Sequence, residues 1–561
     1  MKFLEQAYTL TLQYPRLALV ALTLVVFALV TPGNFDEADT EMRLQVTHWL
    51  WENEPQVAPE KSFVAVAPLD RYKLDSPGWC PLKGKHGESF APYGLGQSVV
   101  MLPGDILSQW AAHSFFSGRM WTQSFVVNLT TFSTISVLSL LLSFQLLLLL
   151  GFREQVALGA TSLLLVATSF LPYIQVIQEN LLIYFCFVGA LVFVLRAPTA
   201  NWRFSFVVAG ILAGFSLLIK LTNVLYLPGL LVLALWLRLN RNDLTSPESK
   251  SSIWIVVRET AFVGVFLGLP ILAFVGVDRY YQFYRFGEFL TTYAKQINEC
   301  FESFGYPSQY PFGYDFITGF TGPLFSPEKS IFLFDPFLVF LLVFVVTSWR
   351  RLMPVQALVL FCLALSLLGL TAAFATTYFW TGGNGAWGPR HHLVPVEVMC
   401  LVGFAFAFRY FFVFMPWVRW LILINVLIAI IFQVTSIPFS GRLENNQIVH
   451  GDPIRIPQLM RIRNLYHIAI GDFESAGLDY GSKMRGDKDD PDLFKRGFGG
   501  GPILFRYIEA ASGSVKYLLI FMWSALFVAA VLVIGVNVQR ALAASKYESG
   551  TGAIVRSGCR K

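Results

Sequence analysis

Four acids fall within six residues, Asp36, Glu37, Asp39 and Glu41, where the chain emerges from its first apolar run, Leu17 to Pro32. A carboxylate held at a lipid–water boundary can accept a proton from a hydroxyl or amine as that group attacks an activated carbon. Three later segments bring complementary chemistry. Tyr93-Gly-Leu-Gly-Gln97 places two polar side chains on either side of glycines that allow close backbone approach, ahead of an apolar stretch ending at Pro103. Leu324-Phe-Ser-Pro-Glu-Lys329 puts an ammonium at the mouth of the apolar run that follows. Trp387-Gly-Pro-Arg390-His391-His392 sets a guanidinium and two imidazoles directly before another apolar run, where a bidentate fork suits an anionic ligand. Adjacent histidines point apart on a helix or strand, which argues against a metal held by the pair. No cofactor is expected from these motifs, and a divalent metal has no support in them.

Two more ionisable residues interrupt apolar sequence. Glu179 opens a run, and Lys220 lies inside Ile211 to Leu230. Charge at membrane depth is costly and marks function by default. Each candidate also has a bland explanation. Asp39 or Thr40 suits the N-cap of a helix over 41–52, and Lys329 suits a snorkelling role at a span end. The acids of Asp487 to Asp492 and the glycines of Gly497 to Gly501 sit in no α/β context, so they read as a solvated charge run and a loop.

The elements that position these groups are membrane spans. The chain is 55% hydrophobic and 14% charged over 561 residues, against about 25% charged for soluble domains. Hydropathy predicts an all-α polytopic protein with about 12 transmembrane helices: 16–32, 122–150, 156–171, 180–196, 204–220, 222–238, 254–276, 331–348, 354–375, 394–414, 417–436 and 515–538. The first is read as an uncleaved span, since it lacks a small-residue cleavage site. Alternate short loops are basic, at Arg153, Arg196 and Arg203, Arg238 and Arg241, Arg350 and Arg351, Arg409 and Arg419, and Arg540 and Lys546. The positive-inside rule makes those loops cytoplasmic. Loops 33–121, 277–330 and 437–514 then lie outside, with both termini inside. The expected organisation is a transmembrane catalytic region over 1–436, an outside loop over 437–514, a last helix over 515–538 and a cytoplasmic tail over 539–561. Residues 41–52 read as an amphipathic juxtamembrane helix with Met42, Val46, Trp49 and Leu50 on one face. Cys186, Cys362 and Cys400 fall in apolar spans and read as inert core, while Cys80 and Cys300 share the outer side and are placed to pair in an oxidising compartment. The net charge of +6 serves topology and does not imply a nucleic-acid partner.

In this order and topology the four motifs resemble the GT-C superfamily of membrane glycosyltransferases. The likeness is to the branch of protein O-mannosyltransferases and the lipid A aminoarabinose transferase, with its many bacterial glycosyltransferase members, and covers most of residues 1–415. The resemblance implies transfer of a sugar from a polyprenyl-phosphate carrier to a lipid, glycan or protein acceptor on the outer face of the membrane, in a bacterium the periplasmic face of the inner membrane. It implies Asp39 as the general base. Relatives often carry Asp-Glu there, whereas this chain has Asp39-Thr40 with Asp36-Glu37 three residues earlier, so Asp36 is held in reserve. Lys329 and Arg390 match positions that hold the carrier phosphate, and Lys220 falls where relatives often have arginine. Tyr93 and Gln97 match the loop segment, and Glu179 and His391 join them as possible substrate-binding groups. Two other classes remain open: a secondary transporter, whose site would lie near mid-membrane between repeats, and a lipid-carrier ligase or polymerase of cell-surface polysaccharide.

Overall fold

The computed structural model describes residues 14–32, 38–52, 56–57, 82–114, 122–176, 178–240, 253–292, 294–302, 307–382, 386–438, 447, 452–470 and 513–558. Asp36, Cys80, the acids of 487–492 and the glycines of 497–501 lie outside them, as does the side chain of Cys300.

Helix follows helix along the chain, because a backbone in hydrocarbon must satisfy its own N–H and C=O groups. In order, α1 is Pro15–Val30, α2 Ala38–Trp49, α3 Gly96–Ser114, α4 Thr122–Val127, α5 Ser133–Leu149, α6 Glu154–Ala167, α7 Phe170–Gln175, α8 Glu179–Arg196, α9 Trp202–Ile219 and α10 Leu227–Leu239. There follow α11 Ile253–Val263, α12 Leu269–Phe286, α13 Ala294–Glu302, α14 Phe316–Phe325, α15 Ile331–Phe334, α16 Phe337–Ser348, α17 Pro354–Ala375, α18 Leu393–Tyr410, α19 Pro416–Thr435, α20 Pro457–Ala469 and α21 Ser514–Gly558. Single π-turns join α4 to α5 and α11 to α12. A two-stranded antiparallel hairpin, β1 Leu82–Lys83 and β2 Ser89–Phe90, precedes α3.

Among the described residues nine helices are long and apolar enough to cross a membrane, with three shorter apolar helices beside them. Each of the twelve predicted spans coincides with helix, and two of them are broken. The span expected at 156–171 stops at Ala167 and restarts as α7, and the one expected at 331–348 breaks at Asp335-Pro336. These breaks meet: Asp335 accepts hydrogen bonds from the backbone N–H of Ser169 and from its hydroxyl, both at 2.7 Å. The carboxylate of one interrupted helix thus satisfies the exposed N–H of the other. Pro336 cannot supply an N–H, which explains why the second break falls there.

Burial sorts the spans into layers. Over most of their length α8 and α18 are enclosed by neighbours, whereas α12, α19 and α21 turn most of their surface outward. Helices that are apolar all round suit either a core or a lipid-facing position. Cys186 and Cys400 are fully buried on α8 and α18, and Cys362 is buried on α17.

The helix expected over 41–52 is present but shifted, running Ala38–Trp49, so Asp39 and Thr40 lie in its first turn instead of capping it, and residues 50–52 form the turn that follows. Its apolar face also meets protein. Met42 and Val46 pack with Val57 and Ala91, flanked by Trp49, Tyr93 and Leu95. On the opposite side His48 and Trp51 both bond the fully buried Asp105 of α3, at 3.0 and 2.8 Å. The helix is therefore clamped on two faces, and the side chains in its first turn take a fixed direction.

Candidate active site

Seven polar side chains from five parts of the chain close into a ring. The Tyr93 hydroxyl donates to Asp39 Oδ1 at 2.5 Å. Asp39 Oδ2 faces Arg390 Nη1 at 3.8 Å, a distance for charge attraction without a direct hydrogen bond. Arg390 Nη1 also donates to Gln178 Oε1 at 3.1 Å. The next residue, His391, meets Lys220 Nζ through Nδ1 at 3.1 Å, and Lys220 reaches Glu179 Oε1 at 3.3 Å. Glu179 Oε2 pairs with Arg43 Nη2 at 3.0 Å, and the Arg43 guanidinium lies 4.0 Å from the centre of the Tyr93 ring. That contact returns the circuit to Tyr93.

Each member is placed by a helix end or a close approach. Asp39 and Arg43 are four residues apart on α2, one turn along the same face. Glu179 is the first residue of α8, and Lys220 is the residue after α9, where an extended backbone separates it from a 3-10 turn. Arg390 and His391 form the 3-10 turn that leads into α18. The Tyr93 loop lies directly against the end of α9. A β-carbon on Gly94 would stand 2.1 Å from the Leu218 carbonyl oxygen, and one on Gly96 2.7 Å from Ile219. The loop over Arg390 is similarly tight. Gly382 has φ +80° and no room for a β-carbon, which would come within 2.8 Å of Arg390 Cγ. The His391 ring is stacked on Phe374 at 3.9 Å between centres, which fixes its plane.

Burial is uneven around the ring. Arg43 and Glu179 are almost fully enclosed, while the side chains of Asp39 and Arg390 keep 22% and 17% of their exposure. Lys220 keeps 20%, so the accessible part of the ring is Asp39 with the two cations Arg390 and Lys220. Burial first, then the Asp39 carboxylate, holds the Tyr93 hydroxyl well above the ordinary tyrosine range, so it stays a neutral donor. Three cations, Arg43, Lys220 and Arg390, stand against two carboxylates, Asp39 and Glu179, which leaves one positive charge in excess. Several buried polar atoms here have no protein partner: Nε and Nη1 of Arg43 and Nε2 of His391. An unsatisfied buried donor costs about 1–3 kcal/mol, and an incoming anion with several oxygens relieves that cost.

The sequence candidates fall into groups. Asp39, Tyr93, Glu179, Lys220, Arg390 and His391 come together in the ring. Gln97 is buried at the start of α3 with neither amide atom partnered. Lys329 bonds the Ala386 carbonyl at 2.6 Å, so it touches the loop that leads to Arg390. His392 lines a small cleft with Ser169, Asp335, Trp387 and Arg390. Arg43 and Gln178 were not singled out from sequence. The signal for Arg43 was its one-turn spacing from Asp39, whereas nothing local marks Gln178.

Fold and site together define an all-helical, multi-pass architecture with an ionic site where several helix ends meet. Among solved structures, the chain is similar to ArnT from Cupriavidus metallidurans bound to undecaprenyl phosphate. The likeness covers 96% of this chain and 78% of that one, at 11% identity and a TM-score of 0.41. It is also similar to the archaeal oligosaccharyltransferase AglB from Archaeoglobus fulgidus, in complex with an inhibitory peptide and a dolichol-phosphate, over 90% of this chain and 59% of that one, at 12% identity and a TM-score of 0.37. No family model matches the chain, and no curated protein matches it.

Proposed function

We propose that this chain is a membrane glycosyltransferase that moves a sugar from a polyprenyl-phosphate carrier to an acceptor on the outer face of the membrane. The observation that carries this reading is the Asp39–Arg390 pair. A carboxylate and a guanidinium share the accessible part of the ring with the Lys220 ammonium, backed by the enclosed Arg43 and by buried donors without partners.

The chemistry follows from those positions. A hydroxyl or amine of the acceptor attacks the anomeric carbon of the donor sugar. The bond from that carbon to the phosphate oxygen breaks, and its electrons leave with the lipid phosphate. The acceptor's proton passes to Asp39, whose Oδ1 is fixed by Tyr93. Negative charge grows on the leaving phosphate, and Arg390 and Lys220 stabilise it in a site sheltered from water. Arg43 adds to that field from behind Glu179. Lys329 is read as a further phosphate contact from the Ala386 side of the loop. A lipid-borne donor requires a site reachable from the bilayer, and a ring built at helix ends meets that requirement better than a mid-membrane transport site between repeats.

Sugar transfer from a polyprenyl-phosphate donor in membranes containing the protein tests this. Asp39→Asn is expected to abolish transfer while the protein still accumulates and folds. Full activity in that variant removes Asp39 from the base role. Loss in Asp36→Asn, with Asp39→Asn active, moves the role three residues upstream.

A further inference from the structure

The two largest fully buried side chains among the described residues are both arginines, Arg285 and Arg461, and neither belongs to the ring. A guanidinium keeps its charge at any working pH, and enclosing one costs several kcal/mol unless its N–H groups are well used. Where those groups point is therefore informative.

Arg285, near the end of α12, directs Nη1 at two carbonyls of the Tyr93 loop, Ala91 at 2.6 Å and Tyr93 itself at 3.3 Å. Its Nη2 donates to Gln282 Oε1 at 2.9 Å, and its plane lies against the Tyr281 and Phe286 rings, 4.2 and 4.9 Å from their centres. The loop it grips carries the tyrosine that fixes Asp39. Arg461, on α20, donates to the Ser436 carbonyl just past the end of α19 and stands 4.7 Å from the centre of the Trp387 ring. Trp387 is anchored on three further sides. Its Nε1 donates to Gln433 at 3.0 Å, its carbonyl accepts from the Tyr173 hydroxyl at 2.8 Å, and its ring meets Phe334 edge-on at 5.0 Å. Arg390 follows three residues later.

We infer that Arg285 and Arg461 are positioning residues for opposite halves of the site. Arg285 acts on the base half through Tyr93, and Arg461 acts on the anion half through Trp387. The assignment of roles to the halves rests on the function proposed above. It gives the outside segment around α20, which carries none of the sequence motifs, a part in binding the donor.

The two halves predict separable defects, measured on the full-length protein in detergent. Arg285→Met is expected to lower kcat on the order of 100-fold, the size of effect that a misplacement near 1 Å produces, while affinity for undecaprenyl phosphate holds. Arg461→Met is expected to weaken that affinity about tenfold, or ~1.4 kcal/mol, with kcat at saturating donor near the unaltered value. Arg461→Lys keeps a cation over the ring and is expected to restore most of the affinity. Arg285→Lys cannot span two carbonyls and Gln282 and is expected to restore little. Amide hydrogen exchange supplies a readout free of the functional reading: residues 91–98 exchange faster only in the Arg285 variants, and 387–393 only in the Arg461→Met variant. Parallel loss of kcat and affinity in both variants, or exchange changes shared by both segments, overturns the inference, and the lysine variants carry the test if a methionine variant does not fold. If the unaltered protein neither binds undecaprenyl phosphate nor transfers sugar, the functional reading fails, while the exchange result still decides the positioning.

Discussion

Tyr93 and Asp39 meet at 2.5 Å, hydroxyl to Oδ1, across 54 residues of chain. The bond leaves Oδ2 facing Arg390. One oxygen is thus held by a neutral donor, and the other is left to the accessible side of the site. In the proposed reaction Tyr93 orients the base without taking the proton. Tyr93→Phe is expected to slow transfer about 10- to 100-fold, less than the roughly 10²–10⁴-fold contributed by a general acid or base itself, with little change in donor affinity. Steady-state kinetics that show a change in KM alone would assign Tyr93 to binding instead.

The pH behaviour of that pair has a definite sign. A group whose proton is held more tightly in the folded protein stays protonated to higher pH. Burial raises Tyr93 in this way, so it keeps donating to Asp39 up to and beyond about pH 10, the ordinary tyrosine value. The rate deficit of Tyr93→Phe should therefore be constant from neutrality to that pH. An alkaline loss of activity in the unaltered protein that vanishes in the variant would show Tyr93 titrating earlier than its surroundings imply.

Arg390 is one of the two accessible cations of the ring, with Lys220, and the one beside the base. Arg390→Ala is expected to weaken undecaprenyl phosphate binding by roughly 2–5 kcal/mol, the cost of truncating one member of a guanidinium–phosphate pair that the bound lipid encloses. Arg390→Lys should recover only part of this, because a point charge cannot reproduce the planar fork. Equilibrium binding decides the matter, and unchanged affinity in the alanine variant removes Arg390 from the donor site.

Glu179 bridges Arg43 and Lys220 in a buried setting. Neutralising it leaves two cations uncompensated. Glu179→Gln is expected to destabilise the protein by about 3–5 kcal/mol, as breaking buried pairs does. The double variant Glu179→Gln with Arg43→Met should recover much of that loss, since it removes the stranded charge. Thermal unfolding in detergent compares the two, and a double variant no more stable than the single one would contradict the ion-pair account.

The contact of Gly94 with α9 leaves no space for a side chain. Gly94→Ala must push the Tyr93 loop away from Leu218, at an overpacking cost of about 1–3 kcal/mol. Transfer should fall together with the melting temperature, because the same movement pulls Tyr93 from Asp39. Unchanged activity would mean that the loop position does not govern the base.

Much of the site was legible as a list of residues and little of it as an arrangement. Asp39, Lys220, Glu179 and Arg390 were visible because each breaks a local rule, standing charged at the edge of an apolar run. Tyr93 was visible through the two glycines that follow it, Gly94 and Gly96. Arg43 was hidden because an arginine on an amphipathic helix breaks no rule. Arg285 and Arg461 were hidden because nothing in a sequence distinguishes a buried arginine from a solvated one. Asp335 sits inside a predicted span and was passed over, since its partner Ser169 lies 166 residues away.

By itself the sequence determined the all-helical architecture, the order of the apolar helices and the set of charged groups available at their ends. Those properties follow from hydropathy and charge read along short windows, and a bilayer leaves few other ways to satisfy the backbone. Only the tertiary structure decided which charges pair, where two spans break, and which arginines are enclosed. Those outcomes depend on contacts between residues far apart in the chain, such as the 212 positions that separate Gln178 from Arg390. Packing selects them through the cost of leaving a buried polar group without a partner, a cost that no local pattern records.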